Sequence, residues 1–239
     1  MKEIMLPLKN AMAAAGLECD DKKLEMFYEY MKRILEWNEK INLTAIRDES
    51  EFVIKHFADS VMCAQKIAAP GVRRIVDIGT GAGFPGIPLA IVFPDREFVL
   101  VDSVHKKLKV VESVAAELKI TNVRVVHGRA EDIGSDIKFR EKFDFCVSRA
   151  VASLAVLAEY CLPLVRVGGC FAAYKGNDIE EELRSAVKAI GVLGGKVSEI
   201  QPFLTDDTDL GHKIIYIEKI SKTPQKYPRK AGKPLKEPI

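Results

Sequence analysis

The sequence predicts an α/β fold built on an open, mostly parallel sheet with helices on both faces. Three observations predict it. From Arg73 onward, short apolar runs alternate with helical stretches; the first run ends in a cluster of glycines; and the last two runs are joined by a short polar turn. The alternation is the signature of repeated βαβ units. The turn, Thr205-Asp206-Asp207-Thr208-Asp209, is too short for a parallel crossover, so the final two strands must pair as an antiparallel hairpin.

Taken in order, residues 1–70 read as helices. From Asp20 the apolar residues Leu24, Phe27, Tyr28, Met31, Ile34 and Leu35 recur at helical spacing and form a core-facing stripe. A loop follows from Asn38 to Arg47, in which Asn42 and Thr44 suit helix capping and closure over a ligand equally well. Asp48 and Glu51 give a D-x-x-E capping signature for a helix that ends near Pro70-Gly71. Strands are expected at 73–78, 97–102, 122–127, 143–148 and 169–174, a helix around 178–190, and the hairpin strands at 195–203 and 212–220. The chain thus divides into an N-terminal helical segment (1–70), an α/β core (71–220) and a basic, proline-containing tail (221–239).

Composition bounds the function. The chain has 239 residues, 48% of them hydrophobic, enough for a sizeable core and too many for a disordered chain. The formal net charge of +2 hides an asymmetry: the stretch from Lys219 to Ile239 holds seven basic residues against Glu237, a net +6, which leaves −4 for the rest. An acidic body with a basic tail suggests a polyanionic partner. The five cysteines lack CxxC spacing and mostly sit in apolar runs, as expected of buried, reduced thiols in a cytoplasmic protein without a structural zinc. No stretch suits a signal peptide or a membrane span, so no membrane partner is expected.

The most informative stretch is Asp77-Ile78-Gly79-Thr80-Gly81-Ala82-Gly83-Phe84-Pro85-Gly86-Ile87-Pro88, a strand end running through glycines into a helix. Glycines there let the chain turn sharply and let a ligand approach the main chain. Gly81 to Gly86 satisfies the dinucleotide pattern G-x-G-x-x-G. Gly79 to Gly83 satisfies the G-x-G-x-G of class I S-adenosylmethionine methyltransferases, and this parse fits better because it begins at the strand end. It also uses Asp77, whose carboxylate can hold the turn's amides and attract a sulfonium, but would repel a pyrophosphate. Asp102, at the end of the second strand, is placed to accept from ribose hydroxyls. The third strand ends in His127-Gly128-Arg129-Ala130-Glu131-Asp132, where an acid can accept from the adenine amine. These three loops would line one crevice at the carboxyl ends of adjacent strands.

The fourth strand bears on the acceptor. Val147-Ser148-Arg149-Ala150-Val151 lacks the Asn-Pro-Pro-Tyr type of loop common in enzymes that methylate exocyclic amines, and Cys146 and Cys161 sit in buried patterns unsuited to a thiolate nucleophile. An acceptor with an exposed lone pair, such as a ring nitrogen, needs no general base, only positioning and electrostatics.

With Trp37-Asn38, Ile41 to Ile46, His56, Asp59-Ser60, Val101 to Ser103, Lys106-Lys107, Gly128 to Glu131, Ser148 to Ala150, Tyr174 to Gly176 and Lys226 to Pro234, the glycine stretch resembles the RsmG (formerly GidB) family of bacterial small-subunit rRNA methyltransferases. The matches run in order through nearly the whole chain. The resemblance implies a class I methyltransferase fold with a seven-stranded sheet, and methyl transfer from S-adenosylmethionine to guanine N7 in the 530 loop of 16S rRNA. It implies cofactor contacts at Gly79, Gly81, Phe84, Asp102, Ser103, Val104, Ala130, Glu131 and Arg149. The partner would be 16S rRNA, free or in a 30S particle or its precursor, and the protein a cytoplasmic monomer. Other readings of the residues are an NAD-dependent oxidoreductase, from the dinucleotide parse, and a non-catalytic RNA-binding module.

Among the remaining residues, Arg149 suits a cofactor or phosphate contact, or an ion pair with an acid such as Glu131. Lys175, at the end of the fifth strand, suits RNA or solvent. His56 reads as a hydrogen-bonded helix residue rather than a catalyst. In the tail, Tyr227 among Lys226, Arg229 and Lys230 offers a stacking face and cations to RNA. On that reading, removing residues 222–239 weakens RNA binding and leaves cofactor affinity nearly intact.

Overall fold

The computed structural model of the protein describes residues 2–176, 179–203 and 211–239; the expected turn at Thr205 to Asp209 lies outside them. Helices α1 (Leu6–Ala14), α2 (Asp21–Asn38), α3 (Glu49–Phe52) and α4 (Ala64–Ile67) precede the sheet, with a π-helical turn Val53–Ala58 and a 3-10 turn Val61–Cys63 between the last two. Asp20 caps α2 by accepting from the Lys23 amide at 2.7 Å. Only half of the expected capping box forms: Asp48 accepts from the Glu51 amide at 2.9 Å, while the Glu51 carboxylate pairs with Lys55.

Seven strands follow: β1 (Arg74–Ile78), β2 (Glu97–Asp102), β3 (Val123–His127), β4 (Phe143–Arg149), β5 (Val165–Lys175), β6 (Gly195–Pro202) and β7 (Lys213–Lys219). Helices α5 (Gly86–Val92), α6 (His105–Glu117), α7 (Ala130–Ser135), α8 (Leu154–Cys161) and α9 (Glu180–Val192) join them, and α10 (Lys233–Lys236) lies in the tail. The sheet order is β3-β2-β1-β4-β5-β7-β6. The first five strands pair parallel, and β7 inserts antiparallel between β5 and its hairpin partner β6. Strand β5 begins four residues before the expected start. Gly168-Gly169 lie within it where the chain bulges between the pairs Phe143–Val165 and Phe145–Cys170.

The core has two parts. One contains buried residues of α1, α2, α5 and α6, and the other those of α8 and α9. Because Leu24, Phe27 and Ile34 share the first part with Ile75, Phe98 and Leu100 of the strands, the boundary near residue 70 marks a change of secondary structure rather than of packing. On α2 the fully buried ring missing from the expected stripe is Tyr30, whereas Tyr28 and Leu35 are only half-buried.

This packing fixes the turn after β1. Gly79, Gly81 and Gly83 have φ of 74°, 57° and 91°, backbone that disfavours a side chain. Any Cβ at Gly83 would overlap the Tyr30 hydroxyl, which donates to the Ala82 carbonyl at 2.5 Å. Asp77 is fully buried; its Oδ2 accepts from the Thr80 hydroxyl at 2.7 Å and the Gly86 amide at 2.9 Å, while Oδ1 has no partner. Burial pushes its carboxyl up to about 7, against the pull of those two donors. Raised above its unfolded value, this group makes the folded chain hold a proton that the unfolded chain has lost between about pH 4 and 7, so its contribution to stability falls as pH rises through that window. Asp77→Asn keeps an acceptor for both donors without the charge. Its stability relative to the unsubstituted protein should therefore rise from pH 4.5 to 7.5, by about 3 kcal/mol. Urea unfolding at both pH values checks this, and parallel pH profiles for the two proteins would contradict it.

Candidate functional site

The carboxyl ends of β1, β2, β3 and β4 open into one cavity of about 490 Å³. That is within the usual size of a small-molecule site, and it sits where open α/β sheets bind ligands. All nine residues expected to meet a cofactor line it: Gly79, Gly81, Phe84, Asp102, Ser103, Val104, Ala130, Glu131 and Arg149.

Each wall is fixed by hydrogen bonds within the protein. The Gly79 and Thr80 amides both donate to the Val101 carbonyl, at 2.9 and 3.1 Å, tying the glycine turn to β2. Asp102 spans the gap between the two loops: Oδ2 accepts from the Gly81 amide and Oδ1 from the Val104 amide, each at 2.8 Å. Each of its oxygens can accept a further donor. Ser103 continues this loop, its carbonyl 3.1 Å from His127 Nε2. A Cβ at Gly79 would strike the Val151 side chain, so the floor can only be glycine.

Asp77 corrects part of the sequence reading. It holds the turn as expected, but it does not line the cavity and cannot face a sulfonium there. Its carboxylate occupies the first amide of α5, the group to which the dinucleotide parse assigns a pyrophosphate.

Arg149 closes the fourth side. Its guanidinium donates to Asp59 Oδ2 at 2.6 Å and the Lys55 carbonyl at 3.0 Å, lies 3.1 Å from His56 Nδ1, and packs over the Phe84 ring. The paired acid is thus Asp59, not Glu131. Burial would raise the Asp59 carboxyl, but the hydrogen bond from His212 and the charge and hydrogen bond of Arg149 outweigh it and hold it below the usual range. His56 stacks on Phe84 with centroids 4.5 Å apart and bonds the Thr44 hydroxyl at 2.7 Å. Burial, then the Arg149 charge, pushes it down to about 3, so its ring is neutral; Nδ1 accepts from Arg149 and Nε2 donates to Thr44. In the loop that Asn38 braces through the Leu43 and Thr44 amides, Leu43 lines the cavity while Asn42 is exposed. A smaller hollow of about 170 Å³ shares Arg149 and Ala150 with the cavity and adds Asp59, Lys175 and His212.

The tail differs most from expectation. Pro228 and Pro234 are buried, and Pro228 lies against Gly134. Arg140 donates to the carbonyls of Thr223, Pro224 and Tyr227. Arg229, expected to face RNA, is held by Glu159 through its amide and guanidinium at 2.5 to 3.1 Å. Lys175 is likewise taken, by Glu182 at 2.6 Å and the Ala152 carbonyl at 2.8 Å. Tyr227 packs half-buried against the core, with Lys226 Nζ over its ring. Lys226 and Lys230 remain exposed. Among the members of the site that were missed are Leu235, which lines the cavity, and Tyr30. The second was legible, because Tyr30 lies three residues after Phe27 on the apolar face.

Burial pushes the thiols of Cys63 and Cys170 up to about 12, and all five cysteines are unpaired. Among the described residues no cluster could hold a metal, and no helix is long and apolar enough to cross a membrane.

The sheet order and hairpin are those of class I S-adenosylmethionine methyltransferases. Two solved structures are similar in fold. One is an O-methyltransferase from Bacillus cereus in complex with SAH (TM-score 0.59, 18% identity, 80% of this chain and 90% of that one). The other is a SAM-dependent O-methyltransferase from Thermotoga maritima (TM-score 0.54, 17% identity, 80% and 72%). Sequence relatives are far nearer. A protein of Alkaliphilus oremlandii named ribosomal RNA small subunit methyltransferase G is 50% identical over 97% of both chains. Its namesakes in Clostridium tetani, 46% identical over 97% of both, and Acetivibrio thermocellus, 47% identical over 94% of this chain and 92% of that one, are comparable. The family profile described as GidB, rRNA small subunit methyltransferase G, matches residues 23–210, and with such relatives over nearly their whole length the chain belongs to that family.

Proposed function

We propose that the protein methylates guanine N7 in the 530 loop of 16S rRNA, with S-adenosylmethionine as donor. The observation that carries the chemistry is the lining of the cavity. Acids and backbone amides at three strand ends suit a nucleoside; the acids Asp102 and Glu131 already accept from amides of the chain, and no described lining residue is a thiol. The one imidazole, His56, is held near 3 between Thr44 and Arg149, and Tyr160 is pushed up to about 12 by burial and the adjacent Glu131. An acceptor that carries its own lone pair fits such a site, since nothing must be deprotonated before attack.

When bound, S-adenosylmethionine would supply an electrophilic methyl group. The residues of this chain bind and orient. Asp102, braced by two amides, is set to accept from ribose hydroxyls, and Glu131 from the adenine amine. Phe84 offers an apolar face. Arg149, neutralised by Asp59, stands between the cavity and the smaller hollow without adding net charge where the methylated base becomes positive. The hollow leaves room for the acceptor to approach. For the RNA, the supported contacts are Lys226 and Lys230, while Lys175, Tyr227 and Arg229 would first have to leave their partners.

The decisive experiment incubates the protein with S-adenosylmethionine and 16S rRNA, as free RNA and as 30S particles, from a strain lacking this modification. Cleavage at N7-methylguanine then maps the product, which is expected in the 530 loop. No product on either substrate, with RNA still bound, would favour a non-catalytic module; binding of NADH but not S-adenosylmethionine would favour an oxidoreductase. Asp102→Asn sets an amide NH₂ against one of two backbone donors, so the cofactor Kd should rise about tenfold. Calorimetric titration reads this, and an unchanged Kd would remove Asp102 from the site. Replacing Lys226 and Lys230 by Glu should weaken RNA binding and lower the slope of log K against log salt by about two. Filter binding across salt concentrations checks it.

A further inference from the structure

The tail was expected to serve RNA alone, yet its inward side reaches the cofactor cavity. Leu235 on α10 lines that cavity, where the lining residue nearest to it in sequence is Tyr160. The residue is otherwise largely solvent-exposed, 64%. Three residues earlier, the Gly232 amide donates to Glu131 Oε1 at 2.8 Å. Glu131 is itself nearly buried, so this donor fixes how the carboxylate is presented to the cavity. Gly232 has φ of 80°, which turns the chain into α10 directly beside that contact.

Further back, Glu159, only 1% exposed, receives the fork of Arg229. A carboxylate so buried is costly without its partner, so the Arg229 contact anchors the tail rather than resting on it. Glu159 is adjacent to Tyr160, which lines the cavity. In the same segment, Lys226, Lys230, Lys233 and Lys236 are exposed.

We propose that the C-terminal tail is a wall of the cofactor site at its adenine end, with Gly232 and Leu235 as cofactor-site residues and the Arg229–Glu159 pair as the contact that positions them. This rests on the cofactor reading given above. It reverses the expectation that loss of residues 222–239 leaves cofactor affinity intact. It also puts one element in contact with both ligands: whatever steadies the docked tail, including RNA on its outward lysines, favours retention of the cofactor, and cofactor steadies the tail to the same extent.

S-adenosylhomocysteine is the probe. Leu235→Ala alters an exposed side chain, so the ligand-free melting temperature should stay unchanged while the Kd rises roughly three- to tenfold. A chain ending at Ala231 should lose more than about tenfold. Arg229→Met should weaken binding, and Arg229→Lys, which keeps the charge but not the fork, should recover part of it. In the unsubstituted protein, saturating S-adenosylhomocysteine or adenosine should slow tryptic cleavage after Lys226, Arg229 and Lys230 several-fold, because docking protects the segment. Unchanged affinity in both Leu235→Ala and the shortened chain, or tail cleavage indifferent to saturating ligand, would overturn the proposal. Failure of the unsubstituted protein to bind S-adenosylhomocysteine at all would instead overturn the cofactor reading, and this proposal with it.

Discussion

The glycine turn after β1 has to satisfy its own backbone while leaving one side bare for a ligand, and much of the architecture answers that constraint. A turn lying over the end of a sheet has amides and carbonyls that neither strand nor helix can pair. Here they are met from three directions: Asp77 from below, Asp102 from the neighbouring strand, and Tyr30 from α2. The last contact ties the N-terminal helices to the site, because α2 can place its hydroxyl only when its apolar face is packed over α5. A buried acid with one unpaired oxygen is an expensive way to hold a turn. In return, the turn is rigid without using the ligand-facing side.

Charge is distributed on the same logic. The acids that matter are committed to partners inside the protein: Asp59 to Arg149 and His212, Glu159 to Arg229, and Glu131 to the tail amide. Ion pairs buried to this degree add little net stability, but losing one partner is severe, so they fix position more than they add strength. The excess positive charge of the tail shrinks accordingly. Arg229 is neutralised by Glu159, and Lys219 is buried among the carbonyls of Leu162 and Val165 beside Glu141. The cations left for a polyanion are those on the outward side.

Much of this was legible in the sequence because the relevant signals are local. Strand ends marked by Asp77, Asp102 and His127, and the glycines between them, locate the cavity without knowledge of the packing, and the short hairpin turn dictates the antiparallel pair. What could not be read depends on long-range partners. Nothing in Arg229 or Lys175 distinguishes a cation awaiting RNA from one awaiting a buried glutamate, since the partners lie 70 and 7 residues away and are brought together only by the fold. Leu235 likewise carries no periodicity in a four-residue helix. Asp77 shows the intermediate case: its residue type predicted the grip on the turn, but its burial, which decides whether it can face a ligand, is a property of the surrounding core.

The π-helical turn Val53–Ala58 makes the site sensitive to chain length in a way that substitutions would not reveal. A π-turn contains one residue more than the α-turn it replaces. His56 lies within it and Asp59 follows it directly, and both meet Arg149. Deleting a single residue between Val53 and Ala58 would restore an ordinary helix, and because the wide turn holds its extra residue within about the same rotation, the chain after it would keep its phase. Asp59 would still meet Arg149 and Ser60 would still meet Tyr174, whereas His56, inside the turn, would be shifted from Thr44 and Phe84. The turn sets one extra residue into the helix without disturbing its ends, and its length in residues is as much a part of the site as any side chain it carries.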